Sequence, residues 1–153
     1  QKLNIDREKL QTQKQIADKQ LQIAKENGGG PASSEKGGFH WGPSVSWNTY
    51  LECWVMLMGH VEGQKWIGDK LYISFNPHRE LGEGNNSQAW STPQVLVQKP
   101  GHVIWYPSLQ PLNTPEDIAA KNTSLKLGKR ARLFFKYSDL GRYFSEYIVE
   151  FDK

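Results

Sequence analysis

The chain has 153 residues, a net charge of +3 and 37% hydrophobic residues, which suits one ordinary globular domain with room for a non-globular appendage. Lysines and arginines are dispersed among acids, so no basic stripe argues for nucleic acid. The single cysteine, Cys53, excludes an intrachain disulfide and any zinc site built on several cysteines.

Residues 2–27 lack Gly, Pro and aromatic residues and are rich in Lys, Gln, Glu and Ala. These are good helix formers, so residues 1–27 are expected to form a polar stalk helix. Leu3, Leu10, Ala17 and Ala24 recur every seventh residue, but the apolar stripe is too narrow to define a coiled coil. Self-association through this helix is one expected contact. Residues 28–44, "GGGPASSEKGGFHWGPS", read as a flexible linker, because small turn-forming residues bury too little surface to fold alone. Phe39, His40 and Trp41 stand out within it as a cluster able to pack on the following domain.

From Val45 to Lys153 the pattern becomes that of a β-sandwich. In "VSWNTYLECWVML", Val45, Trp47, Thr49, Leu51, Cys53, Val55 and Leu57 share one face at period two, which makes Trp47 a core residue. Cys53 reads as a small buried hydrophobe. "DKLYISF" is a further strand, with Leu71, Ile73 and Phe75 inward. "QVLVQ" and "HVIWY" flank Lys99-Pro100-Gly101 and suggest a hairpin. Thr114-Pro115-Glu116-Asp117 is a helix-start signature, which places a short inserted helix near residues 114–121. "SLKL" can form a brief strand. "ARLFFKYS" and "RYFSEYIVEF" close the fold as a hairpin around Asp139-Leu140-Gly141-Arg142. About seven short strands in this span predict an all-β, antiparallel, immunoglobulin-like sandwich.

The "KPG" turn and the hairpin "FFKYSDLGRYFSEYIVEF" resemble the last part of immunoglobulin-like domains in small membrane-anchored proteins of unknown function. The resemblance covers about a third of the chain. It implies a sandwich held near a membrane by an anchor upstream of the residues given, and it assigns no activity. The lone Cys and the lack of disulfides favour the cytoplasmic side.

No sequence motif marks a catalytic centre. The four histidines, His40, His60, His78 and His102, are widely separated, and no metal-binding spacing or nucleophile elbow occurs. No cofactor is expected. Asp139 reads as a turn former, with no acid–base partner near it in sequence.

The remaining signal is aromatic, with Trp41, Trp54, Trp66 and Trp90 falling in loops, at strand ends or on a mixed face. Exposed aromatic residues combine large contact area with few rotamers, and binding surfaces use them for that reason. The leading expectation is a non-catalytic protein-interaction module that uses these rings or a sheet edge. The alternatives are a carbohydrate-binding module stacking sugars on Trp41, Trp66 or Trp90, and a small hydrolase with a site assembled by folding.

Overall fold

The computed structural model describes residues 2–5, 38–62 and 67–152. These build two sheets. Strands β1 (Lys2–Ile5), β9 (Arg142–Phe151), β8 (Arg130–Tyr137) and β6 (Ile104–Gln110) form one, in that order. The other runs β5 (Gln94–Gln98), β4 (Lys70–Asn76), β3 (Cys53–Glu62), β2 (Gly38–Asn48) and β7 (Lys126–Leu127). Helix α1 (Pro115–Ala119) lies between β6 and β7.

Side chains from both sheets form one core. Leu57, Phe75, Ile104, Leu133, Phe135 and Phe151 are all fully buried in it, and each contributes roughly 1.5–3 kcal/mol of hydrophobic stabilisation. Strict alternation is clearest in β8, where Ala131, Leu133, Phe135 and Tyr137 point inward and the residues between them do not. Cys53 lies in this core, fully shielded. The sandwich is mainly antiparallel, but two edge pairings, β1 with β9 and β2 with β7, are parallel.

Several sequence expectations change here. Residues 2–5 are extended and pair with β9, Leu3 opposite Val149 and Ile5 opposite Phe151, so the start of the expected helix is a strand. "KLNI" itself alternates polar and apolar residues, which a strand accepts as readily as a helix. The rest of the expected helix, and residues 28–37 of the expected linker, lie outside the described residues. Residues 38–44 are not linker, because β2 starts at Gly38 and pairs with β3 as far as Glu62.

The stretch from Val45 to Leu57 is a hairpin rather than one strand. Asn48 turns the chain: its side-chain carbonyl accepts the backbone N–H groups of Tyr50 and Leu51 at 3.0 and 2.8 Å, and its amide donates to the Gly128 carbonyl at 3.0 Å. The turn breaks the period-two count. Ser46 and Asn48 consequently face the interior, and Trp47 lies on the outer face opposite Trp54. The buried Ser46 hydroxyl donates to the Ser124 carbonyl at 2.6 Å.

The expected hairpin between "QVLVQ" and "HVIWY" is instead a crossing between sheets. β5 pairs with β4, and β6 pairs with β8. The predicted turn does form at its centre, with Gly101 at φ 82° and the His102 N–H bonded to the Lys99 carbonyl at 3.0 Å.

β4 is buried on both faces after Lys70. Its outward polar residues anchor the loop over residues 77–93. Ser74 donates to the Ser91 carbonyl at 2.6 Å, and Asn76 to the Asn86 carbonyl at 2.6 Å.

The inserted helix occurs where Thr114-Pro115-Glu116-Asp117 places it. Thr114 and Asp117 form a reciprocal capping box.

Candidate functional site

Two strands carry the same four-residue pattern. Trp41-Gly42-Pro43-Ser44 lies in β2 and Trp105-Tyr106-Pro107-Ser108 in β6. Proline has no N–H for the ladder, and each strand answers with a bulge of one extra residue. On β2 the pairing steps from Trp41–Gly59 to Ser44–Leu57; on β6 it steps from Trp105–Lys136 to Ser108–Phe134. The residue before each proline adopts a left-handed conformation, Gly42 at φ 59° and Tyr106 at φ 52°.

The bulged strands belong to different sheets and meet at one side of the sandwich. Trp41 packs edge-to-face on Trp105, centroids 5.2 Å apart at 84°, and on Tyr106 at 5.2 Å and 69°. Gly59 gives Trp41 its space, since a Cβ there would lie 3.3 Å from the indole nitrogen. Glycine adopts the left-handed conformation freely, whereas a residue with a Cβ pays about 1–2 kcal/mol. Tyr106 does so while remaining 43% exposed. The Trp105 indole N–H is buried and donates to no described residue.

The other expected aromatic residues are placed differently. Trp54 is half-buried on the outer sheet face, edge-to-face with Trp47 at 5.3 Å, and its indole N–H donates to the Arg79 carbonyl at 2.9 Å. The Arg79 guanidinium stands over Trp47 at 5.0 Å, so this pair anchors the neighbouring loop. Trp90 is half-buried between Ala89 and Ser91, both of them buried. Trp66 lies outside the described residues. The structure therefore joins Trp41 to Trp105 and Tyr106, and does not bring Trp41, Trp54 and Trp90 together. Sequence reasoning missed Tyr106 and the pairing; the repeated W-x-P-S pattern marks the two bulges but not their contact across the sheets.

Two polar clusters lie apart from these rings. His102 Nδ1 lies 2.9 Å from Asp139 Oδ2 and bridges the turn before β6 to the β8–β9 turn. The hydrogen bond from His102 holds the Asp139 carboxyl below the usual carboxylate range. Asp139 thus has an acid–base partner as well as a turn role. His102, but not Asp139, lines a cavity of about 420 Å³ together with Asp69, Lys70 and Gln98, with glycine and aliphatic residues among the rest of the wall. Among the described residues, that lining contains no Ser, Thr or Cys to act as nucleophile, and Cys53 is buried in the core.

The second cluster centres on buried Asp117, beside a cavity of about 580 Å³. Burial pushes its carboxyl up, but hydrogen bonds from Asn122, the Thr114 backbone and hydroxyl, and the Leu112 N–H outweigh this and hold it below the usual range. A lowered native value adds stability that is fully present above about pH 4 and is lost as pH falls through that native value. Asp117→Asn should therefore be less stable than the parent at pH 7, with the gap narrowing as pH falls below about 4 in urea titrations.

Among the described residues, no group of three or more His, Cys, Asp and Glu side chains is arranged to hold a metal ion. No described helix is long and apolar enough to cross a membrane. Comparison with known protein families, curated proteins and solved structures yields no match to this chain.

Proposed function

We propose that this chain is a non-catalytic protein-interaction module, an immunoglobulin-like sandwich whose contact surface is the paired bulge of Trp41, Trp105 and Tyr106. One observation carries the reading. Tyr106 holds a left-handed backbone conformation while exposing its ring, at a position where the matching bulge uses glycine. Backbone strain of this kind collects where binding or switching uses it. Trp105, half-buried beside it with ring centroids 6.1 Å apart, extends the aromatic surface that a partner would meet.

Three of the four edge strands, β5, β6 and β7, are less suited to recognition by strand addition. β5 has an irregular register and is bracketed by Pro93 and Pro100, β6 contains Pro107 and a bulge, and β7 has only two residues. Such features blunt edges against pairing. The rings meet edge-to-face, which suits an inserted side chain better than the flat platform that sugar stacking requires.

A photo-crosslinking benzoylphenylalanine in place of Tyr106 in the full chain tests the reading in host cells. A discrete protein adduct is expected, lost when Trp41→Ala is added. The same probe at Leu125, which is 71% exposed, should not give that adduct. Identical labelling at the two positions would count against the proposal, and retention on immobilised glycans would favour the carbohydrate alternative.

A further inference from the structure

The chain entering β4 runs beside the turn that carries β5 over to β6, and backbone bonds tie the two segments together. The Lys99 N–H donates to the Asp69 carbonyl at 2.8 Å, and the Ile104 N–H to the Gly68 carbonyl at 3.0 Å. Both segments line the cavity of about 420 Å³ that His102 borders. Small-molecule sites commonly enclose about 300–1,000 Å³ and combine apolar walls with a few placed polar groups. Here Ile67 and Val103 supply aliphatic wall, and Asp69, Lys70, Gln98 and His102 supply the polar groups.

Two opposite charges on this wall do not neutralise each other. Asp69 and Lys70 are both half-buried, and no ion pair joins them. Asp69 Oδ2 accepts the Gln98 amide at 3.0 Å, which leaves Oδ1 without a donor among the described residues. Lys70 lies opposite Gln98 in the β4–β5 register, yet its ammonium makes neither a hydrogen bond nor an ion pair with any described residue. His102 has Nδ1 committed to Asp139, so Nε2 is the open nitrogen of its ring. A charge drawn partly out of water with no partner is costly, and a ligand that pairs it recovers that cost.

We infer that this cavity binds a small zwitterion of the α-amino-acid type, with its carboxylate at Lys70 and its ammonium at Asp69. Only a molecule carrying both charges satisfies both groups. A phosphate dianion would be repelled by Asp69, and a simple amine by Lys70. Ile67 and Val103 favour an aliphatic side chain on the ligand. Because the two segments are already bonded to each other, binding requires little reorganisation of the backbone. The site is independent of the aromatic contact surface.

Calorimetry of the full chain with L-leucine tests this, alongside isocaproate, which lacks the ammonium, and isopentylamine, which lacks the carboxylate. Saturable binding of one leucine per chain is expected, with each analogue at least about tenfold weaker. Lys70→Met and Lys70→Gln should each weaken leucine binding by at least about tenfold, with circular dichroism confirming the fold. Asp69→Asn, which keeps an acceptor for Gln98, should weaken it by a similar factor. Lys121→Met, which removes an exposed lysine elsewhere, should bind as the parent does. Analogues bound as tightly as leucine, unchanged affinity in the folded Lys70 variants, or no saturable binding of leucine would overturn the inference.

Discussion

Gly68→Ala is expected to destabilise the sandwich by at least about 3 kcal/mol, or to prevent folding altogether. The reason is space. A Cβ at Gly68 would overlap the carbonyl oxygen of His60, which is backbone and cannot rotate aside. The Gly68 carbonyl also accepts the Ile104 N–H at 3.0 Å, where the chain enters β6 of the other sheet. Moving Gly68 away from β3 would therefore disturb a link between the sheets. Gly82→Ala is the matched control, since nothing lies within 4 Å of a Cβ there, and it should stay within about 0.5 kcal/mol of the parent. Denaturant midpoints of the two variants decide the matter. Equal stability would show that the close approach at Gly68 does not exist in solution.

Asn48→Ala carries the next largest expected loss, about 2–4 kcal/mol. Asn48 is fully buried, accepts two backbone N–H groups of its own turn and donates to Gly128 across the fold. Alanine would leave the buried Leu51 N–H without its partner and remove the part-buried bonds to the Tyr50 N–H and the Gly128 carbonyl. Thr49 offers the comparison, because it is exposed and its hydroxyl makes a single bond, 3.0 Å to the Leu127 carbonyl. Thr49→Ala should cost no more than about 1 kcal/mol in the same urea titration. A loss at Asn48 as small as that would mean the turn is set by the strands and not by its side chain.

The functional expectation places its main weight on Tyr106, which reading the sequence did not single out. The sequence does point to Trp41, but as a candidate binding ring within the expected linker, in a cluster able to pack on the following domain. Its neighbours explain the difference. Trp105 and Tyr106 are far from Trp41 in the chain and sit in the other sheet, so no local pattern predicts their contact. Two bulges, each set by a proline, turn the strands toward one another. His102 and Asp139 meet for a similar reason, each placed by a turn whose partner is fixed only when the sheets close.

By itself, the sequence determined the elements whose causes are local. Period-two alternation in "ARLFFKYS" dictated a strand with one buried face, and Thr114 to Asp117 dictated a capped helix start. Lys99-Pro100-Gly101 dictated a turn. Only the tertiary structure decided what lay beyond one turn's reach. It made the strands after that turn join different sheets, put Trp47 outside and Ser46 inside, and set His40 against His60. The physical reason is that a side chain's face depends on counting residues from a turn, and buried Asn48 reset that count by satisfying its hydrogen bonds with Gly128, far along the chain.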